Sequence, residues 1–523
     1  MNALTSPQAS PPPRPRAVTP RTLGEVAQWL GATLTGAEDG AREDRHVTGL
    51  TLSSLRVAPG DLYAALQGGR VHGADYLQPA IDSGAVAYLT DADGLAHALH
   101  VGVDPRFPAL QVDQPRRVLG ALAAWLYGDP AVSMQMIGVT GTQGKTTTTR
   151  LLEAGLERAG VRAAVVGTVG TRIAGEDIAT SLTTPEAPDL HALFGVMREA
   201  DVAVCAMEVS SHALVMGRVD GVVFDVAVFL NLGRDHLDFH RDLEDYYLAK
   251  ASLFTADRAR VALVNLDDEH GRRLAREVTE ASELRLTTFA LDDETADWRA
   301  VDLSLEREGS TFTVLGPGGL RFAAGVPLPG EFNVANALAA IAAAGEAGQD
   351  PAAVAEAIRT SAGVPGRLER VEAGQDFLVV VDYAHKPDAV AAAVETLRPL
   401  ADAGGGRVIV VLGAGGDRDP GKRPIMAEIA ARLADVLVIT DDNPRTEAPA
   451  EIRAAMLAGV APEHRDRVVE VGDRRTAIER ALGLARTGDV VLIAGKGHET
   501  GQEIDGVVHD FDDRDVARGA LTR

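Results

Sequence analysis

The stretch Met136-Ile-Gly-Val-Thr-Gly-Thr-Gln-Gly-Lys-Thr-Thr-Thr-Thr149 holds the residue types needed to grip a polyphosphate. It reads as an apolar strand end, a turn through Gly141, Thr142, Gln143 and Gly144, and a helix that opens on Lys145, Thr146 and Thr147. Leu151, Leu152 and Leu156 give that helix its amphipathic period, and Gly160 closes it. A glycine turn between strand and helix aims backbone N–H groups and the positive helix end at one point, which suits phosphate oxygens. Lys145 would reach the outer phosphates and the Thr146 hydroxyl would hold Mg²⁺. The commoner motif has a glycine five residues before Gly144, where this chain has Val139. The competing reading is a strand-to-helix turn whose glycines serve packing alone.

Two later apolar runs, 202–207 and 223–230, lead into Glu208-Val-Ser-Ser-His-Ala213 and Asn231-Leu-Gly-Arg-Asp-His-Leu-Asp-Phe-His240. A carboxylate (Glu208) and an imidazole (His236) at neighbouring strand ends, beside the Lys145 loop, would suit a magnesium and phosphate site, whereas either alone is more often a capping or satisfied polar residue. Hard Mg²⁺ prefers oxygen, so His236 is the less expected ligand of the two. Further on, Leu243, Tyr246, Tyr247, Lys250, Leu253 and Phe254 share one helical face, so Lys250 points where core residues point. Either its stem snorkels and the ammonium reaches water, or desolvation lowers its pKa and the neutral amine captures carbon dioxide as a carbamate. A carbamate would supply oxygen to a second Mg²⁺.

Strands readable at 134–139, 162–168, 202–207, 223–230 and 260–264, separated by helical segments, predict a mostly parallel α/β sheet covered on both faces. Ligands of such sheets gather beyond the carboxyl ends of the strands. Three α/β domains are expected: a small one over 21–113, a central one over 114–362 and a last one over 363–523, after a disordered Pro- and Ser-bearing lead-in at 1–20. In the last domain, apolar runs at 377–381, 407–412, 435–440 and 489–494 end in Asp382-Tyr-Ala-His385, Gly413 to Asp419, Asp441-Asp-Asn-Pro-Arg445 and Gly495-Lys-Gly-His-Glu499. Four polar or glycine-rich endings in sequence predict one rim. A formal charge of −24 argues against nucleic acid or a membrane surface as partner. The absence of any 18-residue apolar run, of a signal-peptide core and of a second cysteine beside Cys205 gives a cytoplasmic reading.

The shortened loop Gly-Thr-x-Gly-Lys-Thr-Thr, with Gln143 where Asn is common, resembles that of the Mur ligase and folylpolyglutamate synthase superfamily. Glu208, His236 and the run Tyr246-x-x-Ala-Lys250 resemble Mur ligase signatures, which implies Thr146, Glu208, His236 and a carbamoylated Lys250 as ligands of two Mg²⁺ ions. The resemblance implies ATP contacts from residues 141–147, Asn333 and Asn336 in Gly330 to Asn336, Arg367 and Asp382. It also implies that Ser54, Thr183, Thr184, Ser210, Arg218 and Lys250 hold a UDP-muramoyl dipeptide. Ser53 and Leu55 replace the Asp and Arg that flank Ser54 in that family, and Met216 stands where it has a glutamine. Asp442-Asn443-Pro444-Arg445, with Arg418, Gly495 and Glu499, resembles the segment by which some Mur ligases take meso-diaminopimelate.

A site with ATP, two Mg²⁺ and no evident nucleophilic Ser or Cys suits activation of a carboxylate. The expected reaction phosphorylates the substrate acid and lets an amine displace phosphate, with closure of the last domain on the central one. Catalytic roles then fall to Lys145, Glu208, His236 and Lys250, in a monomer acting on small molecules. Rival readings are lysine or ornithine as the amine, a folate with glutamate, and a catalytically silent nucleotide-binding scaffold.

Overall fold

The computed structural model describes residues 13–36, 44–69, 71–178, 180, 182–237, 239–281 and 283–523. These form two compact units, one of residues up to 299 together with 339–354, the other of 300–338 together with 355–523.

Beside a two-stranded antiparallel pairing of Arg21–Thr22 with His46–Val47, two larger sheets organise the first unit. The smaller runs in the order Thr33–Thr35, Ala109–Gln111, Ala87–Thr90, Asp61–Ala64, Gly49–Thr51, with only the first pair antiparallel. Leu50, Leu62, Leu89 and Leu110 pack from it against Leu119, Leu122 and Leu126 of the helix Pro115–Leu126. Residues 1–12 of the expected lead-in lie outside the described residues; within 13–20, Arg14 and Ala17 bond to the fold. Arg14 donates to the buried Asp61 carboxylate at 2.5 Å and to the Arg56 carbonyl at 3.1 Å, and the Ala17 N–H donates to Glu199 at 2.8 Å. A buried carboxylate needs a cation, and the sequence reading overlooked Arg14 as its source.

In the larger sheet of this unit the order is Glu176–Ile178, Gly170–Ile173, Ala163–Gly167, Val204–Glu208, Gln135–Thr140, Phe224–Phe229, Ala259–Asn265, Arg285–Ala290 and then the start of Trp298–Glu306. From Ala163–Gly167 to Arg285–Ala290 neighbours run parallel, and helices such as Lys145–Arg158 and Ala187–Glu199 supply the crossovers. Val165, Ile137, Val139, Val226 and Val228 are fully buried, as a sheet covered on both faces requires. Gly138 sits where a Cβ would come within 2.8 Å of the Phe224 ring, so the close approach of these two strands needs glycine. The antiparallel strands at 170–178 escaped the sequence reading because a hairpin of three- and four-residue strands carries almost no periodic signal.

In the second unit a six-stranded sheet has the order Glu369–Arg370, Leu378–Asp382, Val490–Ala494, Val408–Leu412, Val436–Ile439, Val468–Glu470. Only the first pair is antiparallel. The four central strands therefore end on one edge, as the sequence rhythm predicted.

Replacing Arg14 by Ala leaves the Asp61 carboxylate buried without its cation and should destabilise the N-terminal sheet by about 1–3 kcal/mol. The stacked Trp29 and Trp125, with ring centroids 5.3 Å apart, provide the fluorescence signal for a urea titration. An unchanged midpoint would mean that the ion pair contributes nothing.

Candidate active site

Strand order decides what meets at the rim of the first unit. Gln135–Thr140 lies between Val204–Glu208 and Phe224–Phe229, so their three trailing segments are neighbours. Gly144 precedes the helix with φ at +85°, a conformation that costs other residues strain, and the turn brings the 141–144 backbone over the helix start. Asn231 latches this loop: its Oδ1 accepts from the Thr142 and Gln143 N–H groups at 3.1 and 2.9 Å, and its Nδ2 donates to the Gln143 carbonyl at 3.3 Å. The Thr142 hydroxyl accepts from the Gly233 N–H at 2.9 Å and donates toward the Tyr246 hydroxyl at 3.3 Å.

Two ammonium groups converge on a single carbonyl of the loop. Lys145 Nζ donates to the Gly141 oxygen at 2.7 Å and to the Thr142 oxygen at 3.1 Å, while Lys250 Nζ donates to the same Gly141 oxygen at 2.8 Å. Lys250 is 1 % exposed and its Nζ lies 4.5 Å from the Tyr246 ring centroid, so the snorkelling alternative is excluded. Tyr246, Tyr247, Leu253 and Phe254 of the expected face are buried with it, but Leu243 is exposed at the helix start. Burial pushes the Tyr246 hydroxyl above its ordinary range, keeping it protonated as a neutral partner.

Glu208 ends its strand buried, with Oε1 accepting from the Thr168 N–H at 2.8 Å and Oε2 from the Thr168 hydroxyl at 3.1 Å. Gly167 leaves room for it, since a Cβ there would collide with the carboxylate. Thr168 in turn lies 3.1 Å from the Thr183 hydroxyl. Thr184 donates to the Glu208 carbonyl at 2.8 Å and approaches the Ser210 hydroxyl at 3.4 Å, and Ser210 caps the short helix Ser211–Val215. Arg218 binds Glu186 at 2.9 Å and the Thr184 carbonyl at 3.3 Å, with Met216 Sδ 3.5 Å from its guanidinium. Thr183, Thr184, Ser210, Arg218 and Glu208 therefore form one connected patch. A cavity of about 730 Å³ next to it is lined by Gln67, Asp91, Arg116, Met216 and Asp220 among others. Ser54, at the start of the turn Ser54–Arg56, is not part of that lining.

His236 takes a left-handed φ of +53° and pairs with Asp235, Nε2 to Oδ2 at 3.3 Å. Its ring lies 4.8 Å from that of His212, which stacks on Phe239 at 4.0 Å. His240 bonds the Ser211 hydroxyl at 2.9 Å. His212 and His240 were missed by the sequence reading, although both sit in the polar runs after the two strands; Asp238 of that run lies outside the described residues. Among the described residues no three His, Cys, Asp or Glu side chains assemble into a metal cluster. The Glu208 carboxylate and the buried Thr146 hydroxyl are hard oxygen donors of the kind Mg²⁺ takes alongside phosphate and water, so this chain fits that ion better than a softer one.

On the rim of the second unit, Asp382 accepts from the Leu368 and Ala384 N–H groups, both at 2.8 Å. Burial pushes its carboxyl upward while the Arg367 guanidinium, 4.8 Å from the Tyr383 ring centroid, pulls the other way. Asn333 is buried and donates to the Pro329 carbonyl at 2.8 Å, and Asn336 lies one turn further along the same helix. Asn443 Nδ2 donates to Glu499 at 2.8 Å, and the fully buried Lys496 donates to both, at 2.9 and 3.2 Å. A Cβ at Gly495, where φ is +117°, would collide with the Asp442 carboxylate. Pro444 is buried and Arg418 exposed. Arg445 Nη1 donates to the Gly416 carbonyl at 2.6 Å, and Nε faces Glu503 at 3.4 Å. Arg445 therefore has protein partners of its own without any substrate carboxylate. Lys496 lay inside a quoted motif, and its total burial was the signal no pattern could give.

Three family profiles match: "Mur ligase family, catalytic domain" over residues 46–127, "Mur ligase middle domain" over 139–344 and "Mur ligase, glutamate ligase domain" over 366–497. A Streptomyces avermitilis protein named UDP-N-acetylmuramoyl-L-alanyl-D-glutamate--2,6-diaminopimelate ligase is 52 % identical over 515 residues, 98 % of each chain. A Corynebacterium glutamicum protein of the same name is 48 % identical over 483 residues, 91 % of each. A solved ligase of that name superposes with a TM-score of 0.66 at 34 % identity, covering 96 % of this chain and 99 % of the other. A Thermotoga maritima MurF structure in complex with ADP, 19 % identical with a TM-score of 0.59 over 86 % of this chain and 94 % of its own, shares the fold.

Substituting Asn231 by Ala removes the side-chain latch. Each lost bond is worth about 1 kcal/mol net, so amide exchange at Gln143 should quicken roughly tenfold, and less at Thr142, which keeps the Asn231 main-chain oxygen. Equal protection of Gln143 in both proteins would show that backbone geometry alone sets the loop.

Proposed function

This chain belongs to the Mur ligase family, with its three-domain α/β architecture and ATP-dependent ligase chemistry, and on that premise we propose that it joins meso-diaminopimelate to UDP-N-acetylmuramoyl-L-alanyl-D-glutamate in cytoplasmic peptidoglycan synthesis. The observation that carries the proposal is the identity of about half of all residues, over nearly the whole length, with ligases named for that reaction. Among the described residues no helix is long and apolar enough to cross a membrane. The protein acts as a monomer, its domains being 21–113 for the uridine nucleotide, 114–362 for ATP and 363–523 for the amino acid.

The backbone of residues 141–147 wraps the phosphates of ATP, and Lys145 leaves the Gly141 and Thr142 carbonyls for the outer phosphate oxygens. Asn333, Asn336, Arg367 and Asp382 take the rest of the nucleotide. Thr183, Thr184, Ser210 and Arg218, with Ser54, hold the muramoyl dipeptide, so that its terminal carboxylate attacks the γ-phosphorus and ADP departs. Thr146, Glu208 and His236 would hold Mg²⁺, which when bound would offset the negative charge that gathers there. Buried Lys250, as the neutral amine, adds to carbon dioxide with loss of a proton. The carbamate oxygens would serve a second Mg²⁺ and the substrate contacts. Arg418, Asp442, Asn443, Pro444, Arg445, Gly495 and Glu499 orient the diamino acid. Its neutral amine attacks the acyl phosphate, and phosphate leaves as the amide forms.

Arg445 already binds Gly416 and faces Glu503, so rejection of L-lysine rests on the lost carboxylate contact rather than on a bare buried cation. Phosphate release from ATP should require both the muramoyl dipeptide and diaminopimelate; equal turnover without the dipeptide would sink the proposal. Lys250→Ala should lose roughly 100-fold or more in turnover, the scale of one lost electrostatic contact, with no rescue by bicarbonate. Retained activity in that variant would refute the carbamate. Arg445→Lys should raise KM for diaminopimelate about tenfold while leaving that for ATP nearly unchanged. Parallel losses for both substrates would indicate a structural role instead.

A further inference from the structure

The rim of the second unit holds a cation that the scheme above does not use. Lys496 follows Gly495 at the end of the strand Val490–Ala494 and is 0 % exposed. Its Nζ donates to Asn443 Oδ1 at 2.9 Å and Glu499 Oε2 at 3.2 Å, and lies 4.0 Å from Asp442 Oδ1. Asn443 Oδ1 also accepts from the Glu503 N–H at 3.0 Å, while its Nδ2 donates to Glu499 Oε2 at 2.8 Å. With an ammonium on one side and a carboxylate on the other, only this orientation of the amide satisfies both neighbours. Beneath them Arg474, fully buried, grips Asp513 with two bonds of 2.7 and 2.6 Å and donates to the Ala494 carbonyl at 3.0 Å, which fixes the strand end that carries Lys496. Lys496 and Arg474 thus offset two of the three carboxylate charges of Asp442, Glu499 and Asp513.

We propose that Lys496 is a positioning residue that sets which amine this rim accepts. It holds Asn443 and Glu499 in one orientation, commits Glu499 Oε2 and leaves Oε1 to receive a ligand N–H. It also offsets one carboxylate charge where an ammonium would dock, the neighbouring carboxylate of that ligand going to Arg445. Without Lys496 the rim is more negative by one charge, which favours a side chain ending in an ammonium alone. The inference rests on the assignment of Asn443, Arg445 and Glu499 to the diamino acid.

The test compares full-length wild type, K496M, K496R and K496Q, with KM and kcat measured for meso-diaminopimelate, L-lysine and ATP. In K496M, KM for diaminopimelate should rise about tenfold, KM for ATP stay within about twofold, and the preference for diaminopimelate over lysine fall roughly tenfold. K496R should recover most of that preference. If circular dichroism shows K496M unfolded, K496Q, which keeps a donor for Asn443 and Glu499 but loses the charge, carries the measurement and should show the same fall in preference. An unchanged preference in a folded variant, or equal rises in KM for amine and ATP, overturns the inference alone. Wild type that fails to use diaminopimelate overturns the parent assignment, and this inference with it.

Discussion

The structure of the first rim depends on one carbonyl shared by two lysines. The Gly141 oxygen accepts from both Lys145 and Lys250, so two ammonium groups are drawn to one atom at the mouth of a loop whose N–H groups are fixed by Asn231. Beside the buried Tyr246 and the sheet, charges at this spot are screened less than they would be in water. The rest of the first unit serves to bring these two lysines, from helices about a hundred residues apart in sequence, to the same atom.

Much of this was legible in the sequence because it rests on period and punctuation. Apolar runs buried on both faces announce parallel strands, and the polar residues after them, Glu208 and Asp382 among them, mark the carboxyl edge where ligands gather. Lys250 was placed on the buried face by three- and four-residue spacing, and it is buried. What stayed hidden is the kind of partner that no spacing encodes. Arg14 meets Asp61 across 47 residues, Thr168 meets Glu208 across 40 and Lys496 meets Asn443 across 53. Each is a single long-range polar contact whose members look ordinary one at a time. The start of the chain is a related case: its composition suggests disorder, and no spacing reveals that Arg14 reaches Asp61 or that the Ala17 N–H reaches Glu199.

The second rim solves a different problem. Its acidic residues outnumber its buried cations, and two of those cations, Arg474 and Lys496, are fully enclosed. Ion pairs of this kind add little net stability against an apolar alternative, but breaking one half is expensive. They serve better as fixed geometry, holding the strand ends at Asp441 and Ala494 together through Arg474.

The hydroxyl of Thr168 has a single hydrogen but two neighbours, Glu208 and Thr183, each 3.1 Å away. An ionised carboxylate can only accept, so that hydrogen points to Glu208 and Thr183 must spend its own on Thr168. Thr183 is thereby polarised: it turns lone pairs outward and greets whatever docks against it as an acceptor. A peptide N–H is welcome at that spot, and a carbonyl oxygen is turned away, a choice made by a proton two residues removed from the contact.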